Sequence, residues 1–312
     1  LPKKIKLGNL SQGISIIICC YNSINRLQPT LHYLAQLIRP DGYELEVLII
    51  DNASTDHTAK FSTEVWEELG SPYPLKVLYE SKPGLSFARQ CGIKAAQYTL
   101  SIFCDDDNWL APDYLVKAAA VMALKPEVAI ACGQIEPVFE VQPPSWFFSI
   151  QQVLALGRLK DQSGYVEPPV VPWGAGMVLR TEWVKELGFK SLLSDRVGKQ
   201  LSSGGDTELC YQFRLQGYKW WYDDELKLQH FITKERIEWD YLKRLYRGFG
   251  EATFQIQKYY QAHLIKKLNW KGVLLEEIAV FLQNIVAHLF FNKIKILNIE
   301  RKKGYLKASR QY

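Results

Sequence analysis

Three consecutive aspartates, Asp105-Asp106-Asp107, close the apolar run LSIFCD and lead into Asn108. Two unit charges about 5 Å apart repel by roughly 3 kcal/mol at an effective dielectric near ~20, so such a cluster is costly without a counter-ion. A divalent cation reverses the sign of that interaction. Mg2+ and Mn2+ favour carboxylate oxygens and share their coordination with phosphates, so the expected arrangement is one or two aspartate ligands completed by a phosphate-bearing molecule. The alternative is an Asp-rich turn entering a helix near Pro112. Two further clusters follow apolar runs: Tyr21-Asn22 after SIIICC, and Asp51-Asn52-Ala53-Ser54-Thr55-Asp56 after LEVLII. A fourth, Gly204-Gly205-Asp206-Thr207-Glu208, opens a helix-like segment. A carboxylate at a Gly-Gly turn suits a general base, and equally a helix cap. No GxGxxG or GxxxxGK[S/T] follows a strand, which argues against dinucleotide-binding and P-loop proteins. Nor does the chain resemble a Ser-His-Asp triad or a zinc cluster.

The elements that must hold these residues follow from periodicity. Continuous apolar runs at 14–20, 45–51, 75–80, 100–105 and 128–133 read as strands buried on both faces. Helical spacing separates them near 27–39, 56–69, 85–97 and 112–124. Repeated βα units of this kind imply an α/β fold: a mostly parallel central sheet flanked by helices. Ligands bind such sheets at the carboxyl ends of the strands, where the clusters above fall. Residues 136–170, rich in Pro with Trp146, Phe147 and Phe148, read as a long excursion bordering a second substrate. A strand-like stretch at 170–180, helices at 181–188 and 206–216, and short strands at KWWYD and LKLQHF complete a body over residues 1–237. A helical extension follows over 238–312.

In order and spacing, six segments resemble the family 2 glycosyltransferases of the GT-A (Rossmann-like) fold. They are SIIICCYN, LIIDNASTDHT, KPGLSFARQCGIKAA, SIFCDDDNWLAPDYL, WGAGMVLR and SGGDTELCYQFRLQGYK, within residues 14 to about 232. The resemblance implies an inverting, metal-dependent transferase using Mn2+ or Mg2+, a nucleotide-sugar donor (UDP for preference), and a saccharide or lipid-linked acceptor. By the same resemblance, Tyr21 stacks on the donor base and Asp51 accepts a base N–H. Gly84, at a new helix N-terminus, approaches phosphate or ribose, and Arg89 points to the donor or braces the aspartates. Asp107 contacts the metal, with Asp105 reaching metal-bound water or ribose and Asp106 between them on the donor side. His230 is the third metal ligand in some members. Gly174 and Gly176 lie under the donor sugar, Trp173 stacks on the acceptor, Asp206 is the base and Glu208 the secondary candidate. Plainer readings stand beside several of these: a turn for Asp51, a cap for Asp56 or Asp206, a surface ion pair for Arg89, and core packing for His230 and Trp173. Two departures from the family pattern are Asn52, where a second Asp is common, and Gly205, where an acidic residue usually precedes the base.

Charge divides the chain. Residues 1–226 hold 21 Lys and Arg against 26 Asp and Glu, and residues 227–312 hold 17 against 7. A basic tail on an acidic body suggests contact with phosphates of a membrane surface or of a partner, or simply solvated helix faces; no nucleic-acid partner is expected. The six cysteines lack CxxC spacing and read as reduced, buried residues. No signal peptide is recognised, and GVLLEEIAVFLQNIVAHLFF is too polar for a membrane span. A cytoplasmic body, peripheral to the membrane, is the expectation. Two rival functions are a sugar-nucleotide pyrophosphorylase, which would carry a Gly-rich basic loop where this chain has CCYNSINR, and an inactive scaffold, which intact Asp107 and Asp206 disfavour.

Overall fold

The computed structural model describes residues 10–188, 204–260, 283 and 293–310. The strands are β1 (Ser11–Cys20), β2 (Glu44–Asp51), β3 (Leu75–Tyr79), β4 (Tyr98–Asp105), β5 (Asn108–Leu110), β6 (Val128–Phe139), β7 (Gly164–Val166), β8 (Met177–Arg180) and β9 (Lys219–Ile232). They form one sheet in the order β3-β2-β1-β4-β8-β6-β9-β5, with β7 paired to β9. The helices are α1 (Leu27–Ala35), α2 (Thr58–Glu68), α3 (Leu85–Ala95), α4 (Tyr114–Leu124), α5 (Thr181–Leu187), α6 (Gly205–Leu215), α7 (Trp239–Tyr260) and α8 (Lys293–Arg310).

Strands β1 to β4 pair in parallel, as continuous Ile, Val and Leu runs buried on both faces require. The register sets Cys20 of β1 opposite Asp51 of β2, and Cys19 opposite Asp105 of β4. Three strands therefore end level, and their first polar residues share one rim. Beyond β4 the sheet is mixed: β8 is antiparallel to β4 and β6, while β9 is parallel to β6 and antiparallel to β5. The short strands expected at KWWYD and LKLQHF are one strand, β9, with a register irregularity opposite Gly133-Gln134. A Cβ on Gly133 would lie 1.8 Å from the Leu226 carbonyl oxygen, so the irregularity needs glycine there. Only the last four residues of the stretch expected at 170–180 are a strand, β8; the rest is loop.

After residue 237 the chain rejoins the core. Leu242, Leu245 and Tyr246 of α7 and Leu297 of α8 sit in the same apolar cluster as Leu110 and Leu228. The two helices cross closely through Gly250 and Gly304, where an added Cβ would lie 1.8 Å and 1.9 Å from the opposing carbonyl oxygens. Glu300, buried at that crossing, receives Arg247 and Lys303. Burial raises its pKa, but bonds and charges from those two cations outweigh burial and hold the carboxyl below the ordinary range. Apart from Gln283, the apolar stretch at 272–291 lies outside the described residues, as do Ser202 and Ser203 before α6. Among the described residues, no helix is long and apolar enough to cross a membrane.

Candidate active site

A cavity of about 1210 Å³ opens over the level ends of β1, β2 and β4. Its wall includes Tyr21, Gly84, Arg89 and all three aspartates on one side, and Trp173, Gly174 and Asp206 on another. Tyr21 is 48% exposed, its ring free to meet a ligand. Asp51, 7% exposed, does not line the cavity; its Oδ1 accepts the Ser54 N–H at 3.0 Å and so closes the turn after β2. Its neighbour Asn52 does line it, and ties β2 to the α3 entry by donating to the Glu80 and Lys82 carbonyls and accepting the Gly84 N–H at 2.7 Å. That clamp accounts for the amide where a second acid was expected: a carboxylate could not donate both bonds. Gly84, at φ 135°, gives the turn into α3 a conformation that side chains rarely adopt.

The three aspartates have three environments. Asp106 turns to α1: it accepts from Ser23 Oγ and from Arg26 Nη2 at 2.7 Å, while its carbonyl accepts from Thr30. Burial and the adjacent Asp107 charge raise its carboxyl above the ordinary range, against the pull of Arg26. Asp105 stands 3.8 Å from Arg89 Nη2, and Arg89, 4% exposed, lies over the Phe103 ring. Arg89 thus pairs with Asp105 and also lines the cavity. Asp107 meets His230 because β5 pairs with β9, with Asn108 directly opposite His230. Asp107 Oδ1 lies 3.5 Å from His230 Nε2, and Oδ2 lies 2.8 Å from Arg236 Nη1. One carboxylate and one imidazole so close suit a divalent ion, Mn2+ more than Mg2+ because of the nitrogen ligand. Among the described residues no group of three or more His, Cys, Asp or Glu could hold a metal ion.

Across the cavity, Asp206 Oδ2 accepts the Gly174 N–H at 3.0 Å and Oδ1 accepts the Thr207 N–H at 2.8 Å. The residue at the N-cap of α6 is Gly204. Nor is Asp56 the N-cap of α2, which is His57; one position earlier, Asp56 accepts from the Thr58 N–H and hydroxyl. Glu208, expected to help with the acceptor, is fully buried and absent from the cavity wall. One helical turn carries the two acids, and only Asp206 faces the cavity. Gly174 is wedged between functional groups: a Cβ there would lie 2.8 Å from Arg89 Nη2 and 2.9 Å from Asp206 Oδ2. Gly176 is outside the cavity wall, and its missing side chain makes room instead for Leu228 and Tyr114. Half-buried Trp173 both packs on the core and lines the cavity.

Other wall residues were not singled out one by one in the sequence. Gln152 to Ala155 come from the expected excursion, while Arg236, Phe249, Ile256, Asn298 and Arg301 come from the region after β9. Their chemistry is ordinary, and only long-range packing brings them to the rim. Burial pushes the thiols of Cys20, Cys104 and Cys210 well up, so none of these is a nucleophile at neutral pH.

The sequence pattern of glycosyl transferase family 2 matches residues 15–188, and that of glycosyl transferase family group 2 matches residues 102–297. The chain belongs to glycosyl transferase family 2. It is 25% identical over 250 residues to the succinoglycan biosynthesis protein ExoM of Rhizobium meliloti (strain 1021), covering 78% of this chain and 74% of that one. For three other curated relatives the chain spans only 25–38% of their length. Among solved structures it is similar to the mannosyltransferase PcManGT from Pyrobaculum calidifontis in complex with GDP-Man and Mn2+. The TM-score is 0.61 at 17% identity, over 98% of this chain and 90% of that one. It is also similar to S. aureus TarS in complex with UDP-GlcNAc, with TM-score 0.54 and 15% identity over 96% and 92%. These likenesses establish the GT-A architecture.

Proposed function

We propose that the protein transfers a sugar from a nucleotide-diphosphate sugar, UDP being the preferred carrier, to a hydroxyl of a saccharide or lipid-linked acceptor in surface polysaccharide synthesis. The observation that carries this reading is the wedge at Gly174. Asp206 touches it on one side and Arg89, the partner of Asp105, on the other, so a base and the donor carboxylates share one continuous wall. The relatives support the class of chemistry: one is named for succinoglycan biosynthesis, and two structural neighbours carry UDP-GlcNAc or GDP-Man.

The reaction is a single inverting displacement. Asp206 takes the proton of the acceptor hydroxyl as its oxygen bonds to the anomeric carbon. The bond from that carbon to the phosphate oxygen breaks on the opposite face, and its electron pair leaves with the nucleoside diphosphate. Asp107 and His230, with Asp105 near, would hold Mn2+ or Mg2+, which supplies charge stabilisation to that leaving group. Tyr21 stacks on the base and Asn52 fixes the loop beneath it, while the α3 N-terminus offers N–H groups to phosphate or ribose. Trp173 and the apolar strip of Leu245, Phe249 and Ile256 on α7 would line the acceptor end. Exposed Lys295, Lys302 and Lys307 of α8, the last paired with Glu251, would favour attachment to an anionic, cytoplasmic membrane surface.

The test is release of UDP from a panel of UDP-sugars, with and without Mn2+ and saccharide acceptors. Metal-dependent turnover of at least one donor is expected. Absence of turnover, together with no thermal stabilisation by any nucleotide sugar, would leave the scaffold reading. Sedimentation of the full chain with phosphatidylglycerol vesicles tests the membrane contact, which should weaken as salt is raised.

A further inference from the structure

We infer that Arg236 is the resident counter-cation of the Asp107–His230 pair, and that its release couples divalent-ion binding to the donor diphosphate. The inference rests on the proposed donor site and adds a residue that no part of that reading requires.

Arg236 lies in the single turn Lys234–Ile237 that joins β9 to α7. Its Nη1 sits 2.8 Å from Asp107 Oδ2 and 2.8 Å from His230 Nε2, between the two residues that would hold the ion. A guanidinium can only donate, so His230 Nε2 must accept, with its lone pair facing the bridge. That is the state in which an imidazole binds a metal. The arrangement thus keeps both ligands ready while filling their gap with a protein cation. The side chain is 12% exposed, yet its Nε is buried without a hydrogen-bond partner, as is His230 Nδ1. A buried unsatisfied donor makes this a resting place the guanidinium leaves readily.

Arg236 must quit Asp107 before a divalent ion can bridge the pair. Alone, that exchange is poor: the ion gains one carboxylate oxygen and one imidazole nitrogen, and the freed guanidinium is left near a new positive charge. With a diphosphate present the exchange balances. Its oxygens complete the ion's shell, and the guanidinium, already in the cavity wall, gains an anionic partner. Metal and nucleotide should therefore tighten each other's binding reciprocally, with Arg236 carrying part of the coupling.

The experiment is a Mn2+ titration followed by electron paramagnetic resonance, on the full chain, with and without saturating UDP. Wild type is compared with Arg236→Gln and Arg236→Lys, all three checked by circular dichroism. Arg236→Gln should bind Mn2+ alone about fivefold tighter or more than wild type, with the tightening by UDP reduced by a similar factor. Arg236→Lys, which keeps the charge, should fall between. Complexation of Mn2+ by UDP in solution is common to all three and cancels in the comparison. Equal Mn2+ affinity and equal coupling in wild type and Arg236→Gln would overturn the inference while leaving the donor site standing. Absence of any Mn2+ or UDP binding to wild type would overturn both.

Discussion

In the parallel half of the sheet, Tyr21, Asp51 and Asp105 each take their place from the end of a strand, and the register of β1 with β2 and β4 brings those ends level. In the mixed half nothing local does this. Asp107 meets His230 only because β5 pairs with β9, and Asp206 meets Gly174 across 32 positions of sequence. On the proposed function, the parallel half would offer a pre-formed surface for a nucleotide, and the mixed half would assemble the reacting groups. Alterations in the second half should strike the rate and the metal, and alterations in the first should strike stability and base recognition.

The largest effect separating the halves is expected from Asp206→Asn. Turnover of the preferred donor should fall on the order of 100-fold or more, with little change in melting temperature. A purely structural Asp206 would give the reverse, about 1 kcal/mol of stability for the one acceptor oxygen lost and little change in rate. Gly174→Ala comes next, since its methyl must displace Arg89 or Asp206. A misplacement of this size should lower kcat on the order of 10- to 100-fold. If kcat is unchanged, the wedge is not part of the machinery.

Asp106→Asn tests the opposite behaviour inside the aspartate run. It removes the charge that pairs with Arg26 and should cost about 1–3 kcal/mol in chemical denaturation, with nucleotide affinity nearly intact. The smallest effect concerns the α7–α8 crossing. Because the Glu300 pKa is lowered in the fold, its stabilisation is fully present above the ordinary glutamate value of 4.5. It is lost as pH falls through the lower folded value. Melting curves of wild type should lose this increment on acidification, and those of Glu300→Gln should not.

How much of this was legible in the sequence follows the same division. Buried parallel strands are unbroken apolar runs, so their ends at Cys20, Asp51 and Asp105 could be read directly. The irregularity that joins KWWYD to LKLQHF depends on Gly133 of another strand, and no local pattern announces it. Which aspartate is tied to α1 depends on side-chain direction, so Asp106 looked like its neighbours until Arg26 and Ser23 were seen holding it. Glu208 lies two residues from Asp206, and the helix turns one inward and the other outward. Arg236 was hidden because it enters the site from a turn that β9 and α7 place together.

Calorimetry of UDP binding tests most directly whether Asp107 serves a divalent ion bound with a diphosphate. Wild type should bind UDP about fivefold tighter or more with Mn2+ than in chelator, as a coupling of roughly 1–3 kcal/mol implies. Asp107→Asn should lose that difference. Equal UDP affinity with and without Mn2+ in wild type, or an Asp107→Asn chain that retains the full difference, would contradict the account.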